Sequence, residues 1–263
     1  MGTSIEKSGG ILERFNLKGR VALVTGGSKG LGKAMARGLA QAGADIVIVS
    51  RNREELESSL ADIRTDLDVH GKCVVGDLSR REDVARIATE ALALAGHVDI
   101  LINNAGSNIP ENIDAVTDAA FDSIVELNLR SVMALTRAIV PSMKKLGWGR
   151  IINISSIMAF APLGARSAYA ATKAGVVAMA KNWAVELGSF GITANTIAPG
   201  PFLTDLTARL LTETQKNSFS AHTALGRWGN PEELVAPALL LASDAGSYIT
   251  GECLFVDGGY MVK

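Results

Sequence analysis

Seven short runs of β-branched and apolar residues, each followed by a longer polar-apolar pattern, constrain the fold more than any other feature of this chain. They are VALVT from Val21, DIVIVS from Asp45, KCVVGD from Lys72, DILINN from Asp99, RIINIS from Arg150, ITANTIA from Ile192 and ECLFVD from Glu252. The runs are apolar almost without alternation, so each predicts a strand covered on both faces. The intervening segments supply the covering helices. Asn52-x-x-Glu55 and Ser79-x-x-Glu82 read as capping boxes, and Asn230-Pro231-Glu232-Glu233 combines an N-cap, a first-turn proline and a third-position acid. The expected architecture is α/β: a doubly wound (Rossmann) seven-stranded parallel sheet with helices on both faces.

The 263 residues suit one such domain. Residues 1–16, rich in Gly, Ser and charge, are expected to form a flexible arm, and 17–263 a single catalytic domain. The segment 199–229 is long and mixed and breaks the strand–helix rhythm. In a sheet of this kind ligands bind beyond the carboxyl ends of the strands, so 199–229 is expected to be a substrate lid.

Composition removes several functions. A net charge of −1 argues against a nucleic-acid partner held by bulk electrostatics. No apolar run reaches the 18 or so residues that a membrane partner would require. Cys73 and Cys253 fall in strand-like runs and are expected as buried free thiols, which fits a cytoplasmic protein. His70, His97 and His222 are too scattered for a metal site, so none is expected.

The first strand runs directly into Gly26-Gly27-Ser28-Lys29-Gly30-Leu31-Gly32 and then a helical pattern. Glycines there permit a tight turn, and the free N–H groups of a helix N-terminus suit a pyrophosphate. The same turn could equally serve only to join strand to helix. At the end of the second strand, Ser50-Arg51-Asn52-Arg53 offers no acid for a ribose 2′-hydroxyl. Arg51, with Lys29 in the glycine turn, would instead suit a 2′-phosphate, so NADP(H) is expected in preference to NAD(H), which remains possible. Solvated surface charge is the blander account, and it is the one adopted for Arg53.

Tyr169 and Lys173 lie four residues apart, one turn of a helix, with Ser156 thirteen residues upstream. They supply a proton donor, a cation that favours its ionised form, and a hydroxyl able to polarise a carbonyl.

With these motifs in their order, the chain resembles the short-chain dehydrogenase/reductase family from Leu17 to Tyr260. The likeness rests on Thr25–Gly32, Gly76-Asp77-Leu78, Asn103-Asn104-Ala105-Gly106, Asn128, Ser156/Tyr169/Lys173 and Pro199-Gly200. It implies an NAD(P)-dependent oxidoreductase moving a hydride between the cofactor and a carbonyl or secondary alcohol, with Asn128, Ser156, Tyr169 and Lys173 catalytic. It further implies that Gly26, Ser28, Lys29, Gly30, Leu31, Gly32, Arg51, Asp77, Leu78, Asn103, Ala105, Gly106, Pro199, Gly200, Phe202 and Thr204 hold the cofactor, with Tyr169 and Lys173. Asn104 and Ser155 are assigned to structure. Asn108, Met158, Arg166 and Leu203 become candidates for substrate contact, with Phe160, Leu206, His222 and Trp228 as further possibilities. A homotetramer is implied as well.

Two groups within the family come nearest. The C-terminal run resembles sugar-acid dehydrogenases such as gluconate 5-dehydrogenase, although Ser107-Asn108-Ile109 stands where those often carry arginines. The chain also resembles 3-oxoacyl-carrier-protein reductases, but has Gly147 and Phe190 near places where those use basic residues. A small polar or sugar-acid type substrate is ranked first. A catalytically idle dinucleotide-binding regulator is the reading from another class, and the intact triplet weighs against it.

Overall fold

A computed structural model describes residues 10–204 and 212–263. The strands are β1 (Val21–Thr25), β2 (Asp45–Ser50), β3 (Gly71–Val75), β4 (Ile100–Asn103), β5 (Gly149–Ile154), β6 (Ile192–Pro199) and β7 (Cys253–Val256). They form one sheet in the order β3-β2-β1-β4-β5-β6-β7, and every pairing is parallel. The strand order reverses between β1 and β4. Loops leaving the carboxyl ends of those two strands diverge there and leave a crevice, as expected at such a switch point.

Strand side chains alternate between two cores. Ala22 and Val24 of β1 face one, with Met35 and Leu39 of α1 (Gly30–Gln41), Leu56 and Ile63 of α2 (Arg53–Arg64), and Leu241. Val21 and Leu23 face the other, with Ile87 of α3 (Arg81–Ala95), Leu135 and Ile139 of α5 (Ser131–Leu146), and Trp183 of α6 (Ser167–Leu187). The period of two in a strand sends successive side chains to opposite layers, so both faces need helices. Between α3 and α5 lie α4 (Asp118–Val125) and a π-helical turn, Glu126–Arg130. α7 (Glu213–His222) and α8 (Val235–Ala242) follow β6.

Several local expectations change. Cys73 and Cys253 are free but only half-buried, because β3 and β7 are the two edges of the sheet. Partial burial still pushes the Cys253 thiol up to about 11. Ser79 does not cap α3, whose N-cap is Arg80. Its hydroxyl donates to Asp77 Oδ1 at 2.7 Å, a local bond that competes with capping. Asn52 does cap α2, accepting from Glu55 N at 2.9 Å, and Asn230 with Glu233 forms the full capping box. Part of the stretch read as an arm is a 3₁₀ turn, Ile11–Phe15, from which Arg14 donates to Asp244 O at 3.0 Å.

Candidate active site

The cleft at the carboxyl ends of β1 and β4 has a volume of about 580 Å³ and is lined along one side by Gly26, Ser28, Lys29, Gly30 and Leu31. Its floor is main chain clamped by two short side chains. Thr25 Oγ1 accepts from Asn104 N at 2.9 Å and from Ala105 N at 3.0 Å, tying the end of β4 to the end of β1. Asn104 Nδ2 returns the tie to Thr25 O at 2.9 Å and Gly26 O at 3.3 Å. Gly26 has φ +64, a left-handed conformation that admits glycine without strain. Gly32 sits behind the turn, where an added Cβ would overlap Gly26 O and lie 2.5 Å from Asn104 Nδ2. Glycine is therefore required there by close approach.

These features fit a dinucleotide. The N-terminus of α1 opens on the cleft between Lys29 and Leu31, which suits a pyrophosphate. Deeper in, an added Cβ on Gly106 would meet Asn128 Oδ1 at 3.2 Å and Lys173 Nζ at 3.3 Å, so the missing side chain leaves room beside the lysine. Ser50, Arg51, Asp77 and Leu78 line the end toward β2 and β3, and Pro199, Gly200, Phe202 and Thr204 the end toward β6.

Ser156, Tyr169 and Lys173 meet in the same cleft. Tyr169 and Lys173 project from α6 one turn apart, and Lys173 Nζ lies 5.7 Å from the centre of the phenol ring. The ammonium donates to Ile154 O at 2.7 Å. Lys173 is 5% exposed, and burial pushes it down to about 8. Burial also pushes the Tyr169 phenol up, while the hydrogen-bonded Ser156 hydroxyl and then the Arg166 charge act to lower it. Ser156 Oγ accepts from Met158 N at 3.1 Å, which orients its hydroxyl at the start of a 3₁₀ turn. Ser155 Oγ donates to Lys173 O at 2.7 Å, the structural task expected of it.

Asn128 is buried in the π-helical turn, a wider turn often found near functional sites. Its amide clasps the Ser107 backbone: Oδ1 accepts from Ser107 N at 2.9 Å and Nδ2 donates to Ser107 O at 2.8 Å. Nδ2 also reaches Thr172 Oγ1 at 3.3 Å, and Thr172 donates to Tyr169 O at 2.8 Å. The loop after β4 and the helix carrying Tyr169 are thereby linked through one side chain.

Other expected residues are placed elsewhere. The Asn103 side chain turns into the core, donating to Thr136 Oγ1 at 3.1 Å and Asn153 Oδ1 at 3.0 Å, while its neighbour Asn104 lines the cleft. This is the strand alternation at work: β4 ends at Asn103, which still points into a layer. Asn108 lines the cleft, whereas Met158 is buried and neither it nor Arg166 reaches the lining. Leu203 lines an adjoining cavity with Lys33, Arg37 and Thr204. Phe160 packs edge-on against Phe255 at 4.8 Å. Trp228 donates to Lys216 O at 3.0 Å and packs edge-on against Phe219, anchoring α7. His222 bonds to Ser218 O within its own helix. Leu206 lies outside the described residues.

Sequence reasoning missed Thr172, Ser107 and the Asn103–Thr136–Asn153 network, whose partners are far apart in the chain. It also missed Lys29's partner: Lys29 Nζ lies 3.2 Å from Glu55 Oε2. No group of three or more His, Cys, Asp or Glu among the described residues is arranged to hold a metal ion.

Residues 26–261 match the family model described as enoyl-(acyl carrier protein) reductase. The 3-oxoacyl-[acyl-carrier-protein] reductase FabG of Escherichia coli is 38% identical over 249 residues, 94% of this chain and 100% of that one. A gluconate 5-dehydrogenase from Burkholderia cenocepacia, solved in complex with NADP and tartrate, superimposes with a TM-score of 0.90 at 36% identity, over 96% of this chain and 99% of the other. A 3-oxoacyl (acyl-carrier-protein) reductase from Agrobacterium tumefaciens with NADP bound gives a TM-score of 0.91 at 34% identity, over 97% of this chain and 100% of the other.

Proposed function

The chain belongs to the short-chain dehydrogenase/reductase family, and we propose that Tyr169, Ser156, Lys173 and Asn128 carry its reaction. The reaction class follows from the family: NAD(P)-dependent interconversion of a carbonyl and a secondary alcohol. The observation that carries the residue assignment is the meeting of Ser156, Tyr169 and Lys173 in the cleft that begins at the glycine turn.

A bound nicotinamide supplies or accepts the hydride; the chain's own residues manage the proton and the oxygen. In reduction Tyr169 gives its phenolic proton to the carbonyl oxygen, and Ser156 hydrogen-bonds that oxygen as charge develops. In oxidation Tyr169 must first lose a proton. A free phenol has a pKa of about 10, so ionising it near neutrality costs about 4 kcal/mol, and burial adds to that cost. Lys173 and Arg166 are the cations placed to offset it. Lys173 would also hold the ribose hydroxyls of a bound cofactor, and Asn128 keeps Ser107 and α6 in register around the reacting groups.

NADP(H) is the preferred cofactor on this reading. Lys29 and Arg51 line the end of the cleft at β2, the segment Ser50-Arg51-Asn52 lacks an acid for a ribose hydroxyl, and two of the solved relatives hold NADP. Asp77, Leu78, Ala105, Gly106, Pro199, Gly200, Phe202 and Thr204 complete the cofactor's surroundings. Residues 199–229 act as the lid: Phe202 and Thr204 line the cleft, and a bridge between Phe202 and Gly229 closes the base of the segment.

A small polar or sugar-acid carbonyl is the substrate on this reading, with Asn108 on the cleft wall as a polar contact. Likeness to the gluconate 5-dehydrogenases supports it. A 3-oxoacyl thioester is the second reading, favoured by the E. coli relative. Near the places where a basic grip is expected, Lys144 Nζ stands 4.2 Å over the Phe190 ring, so that cation already has an aromatic partner. Val185 and Val262, each 86% exposed, and Tyr248, fully exposed, are apolar surface that suits assembly into a homotetramer. No helix among the described residues is long and apolar enough to cross a membrane.

The test follows absorbance of NADPH and NADH separately over ketones, keto acids, sugar acids and an acetoacetyl thioester. Turnover of sugar acids or small hydroxy acids supports the first reading. Turnover confined to the thioester replaces it with the second, and faster use of NADH overturns the cofactor assignment.

A further inference from the structure

The two cations expected to meet a 2′-phosphate are not in the same state. Arg51 has no hydrogen bond or ion pair among the described residues, whereas Lys29 Nζ lies 3.4 and 3.2 Å from the two Glu55 carboxylate oxygens. Both partners are solvent-exposed, at 65% and 46%. Glu55 stands at the third position of α2, where an acid ordinarily reaches back to the N-cap backbone N–H. Here only half of that box forms: Asn52 accepts from Glu55 N at 2.9 Å. The carboxylate crosses instead to the glycine turn, twenty-six residues earlier in the chain. The carboxylate's choice of partner places an anion at the mouth of the region that Lys29, Ser50 and Arg51 line.

We propose that Glu55 is a built-in counter-ion that withholds part of the Lys29 charge from a 2′-phosphate, making it a residue that sets cofactor choice. The proposal rests on the reading of Lys29 and Arg51 as the phosphate site. A phosphate entering there competes with Glu55 for Lys29 and also meets its negative charge. A cofactor with a 2′-hydroxyl brings no charge to that point and is largely indifferent to the pair. Glu55 therefore narrows the margin between NADP(H) and NAD(H) that Lys29 and Arg51 would otherwise create. An exposed pair of this kind is worth at most about 1 kcal/mol, so the effect is about 2- to 5-fold in affinity.

Calorimetric titration of the full-length chain with NADPH, NADH and 2′,5′-ADP tests this without relying on turnover. Glu55→Gln, which keeps the backbone bond to Asn52, is expected to tighten NADPH and 2′,5′-ADP about 2- to 5-fold and to leave NADH within about twofold. In a Lys29→Gln background the same change should have less than half that effect, because there is no cation left to release. An unchanged or weaker affinity for NADPH in Glu55→Gln, at an unchanged melting temperature, overturns the proposal, as does an equal gain in both backgrounds. The underlying cofactor reading fails separately: Lys29→Gln and Arg51→Gln would then leave NADPH affinity unaltered, whatever Glu55 does.

Discussion

The glycine-turn side of the cleft and the side facing the expected lid are built by different means. On the first, two short side chains clamp main chain: Thr25 Oγ1 grips the amides of Asn104 and Ala105, and Asn104 Nδ2 grips the carbonyls of Thr25 and Gly26. Little there depends on where a flexible side chain points. On the second, the walls are loops: the stretch after Gly106, the turn between Ser156 and α6, and the segment beyond Gly200. One amide, Asn128, does much of the fastening, and the chosen side chains diverge. Asn108 reaches the cleft, Leu203 an adjoining cavity, and Met158 the interior. A cofactor common to a large family can be met by fixed main chain. Substrate choice is left to parts that tolerate change.

Four substitutions would break or sharpen this contrast. Tyr169→Phe, at the junction of the two sides, is expected to lower kcat by about 10²- to 10⁴-fold while NADPH affinity by fluorescence titration stays within about twofold. Normal turnover would remove the tyrosine from the mechanism. Gly32→Ala strikes the backbone side, where the new methyl overlaps Gly26 O and Asn104 Nδ2. Overpacking of about 1–3 kcal/mol there should weaken cofactor binding by up to about 5- to 150-fold; an affinity like that of the unaltered protein would show the turn to be pliable.

Lys173→Met addresses the cost of the site. Burial lowers the Lys173 pKa from 10.5 to about 8, so the unfolded chain binds the extra proton between those values. That lowering penalises folding fully below about pH 8, and the penalty is relieved as pH rises toward 10.5. Removing the charge, less the lost bond to Ile154 O, is expected to add about 2 kcal/mol of stability at pH 7 while abolishing activity. A lower melting temperature in urea-assisted melts would show the buried ammonium to be favourable. Leu203→Ala should have the smallest effect, changing NADPH affinity by less than about twofold, since an exposed side chain outside the cleft contributes little. A tenfold loss would place Leu203 itself, beside Phe202 and Thr204, in the cofactor site and dissolve the contrast.

How much was legible in the sequence follows the same division. All seven strands were visible because a sheet covered on both faces demands largely apolar runs, whereas their register, which runs without alternation do not encode, came only with the structure. Ser155 was separable from Ser156 only through the resemblance, being one residue out of register with the family's spacing, and the structure gives the first a backbone partner, Lys173 O. The inward turn of the Asn103 side chain was not legible, since one step along a strand end reverses the direction of a side chain; Asn104 keeps the structural task expected of it, at the cleft's edge. Ser79 was read as a cap because its local pattern allows one; Asp77, two residues away, takes the hydroxyl first. Asn128 stood out through the resemblance, yet its clasp on Ser107 depends on a π-helical turn that no residue pattern announces.

The position of β1 in the middle of the sheet has a consequence for how the protein is made. One of its edges can pair with β2 as soon as residues 45–50 are synthesised, but the other belongs to β4, residues 100–103. At translation rates of about 5–20 residues per second, that second edge waits roughly 4–15 s for its partner. During that time an unpaired strand end carries the glycine turn on a nascent chain. Its protection from wrong pairings must come from the ribosome's surroundings or from helices already formed, before there is any cleft to fill.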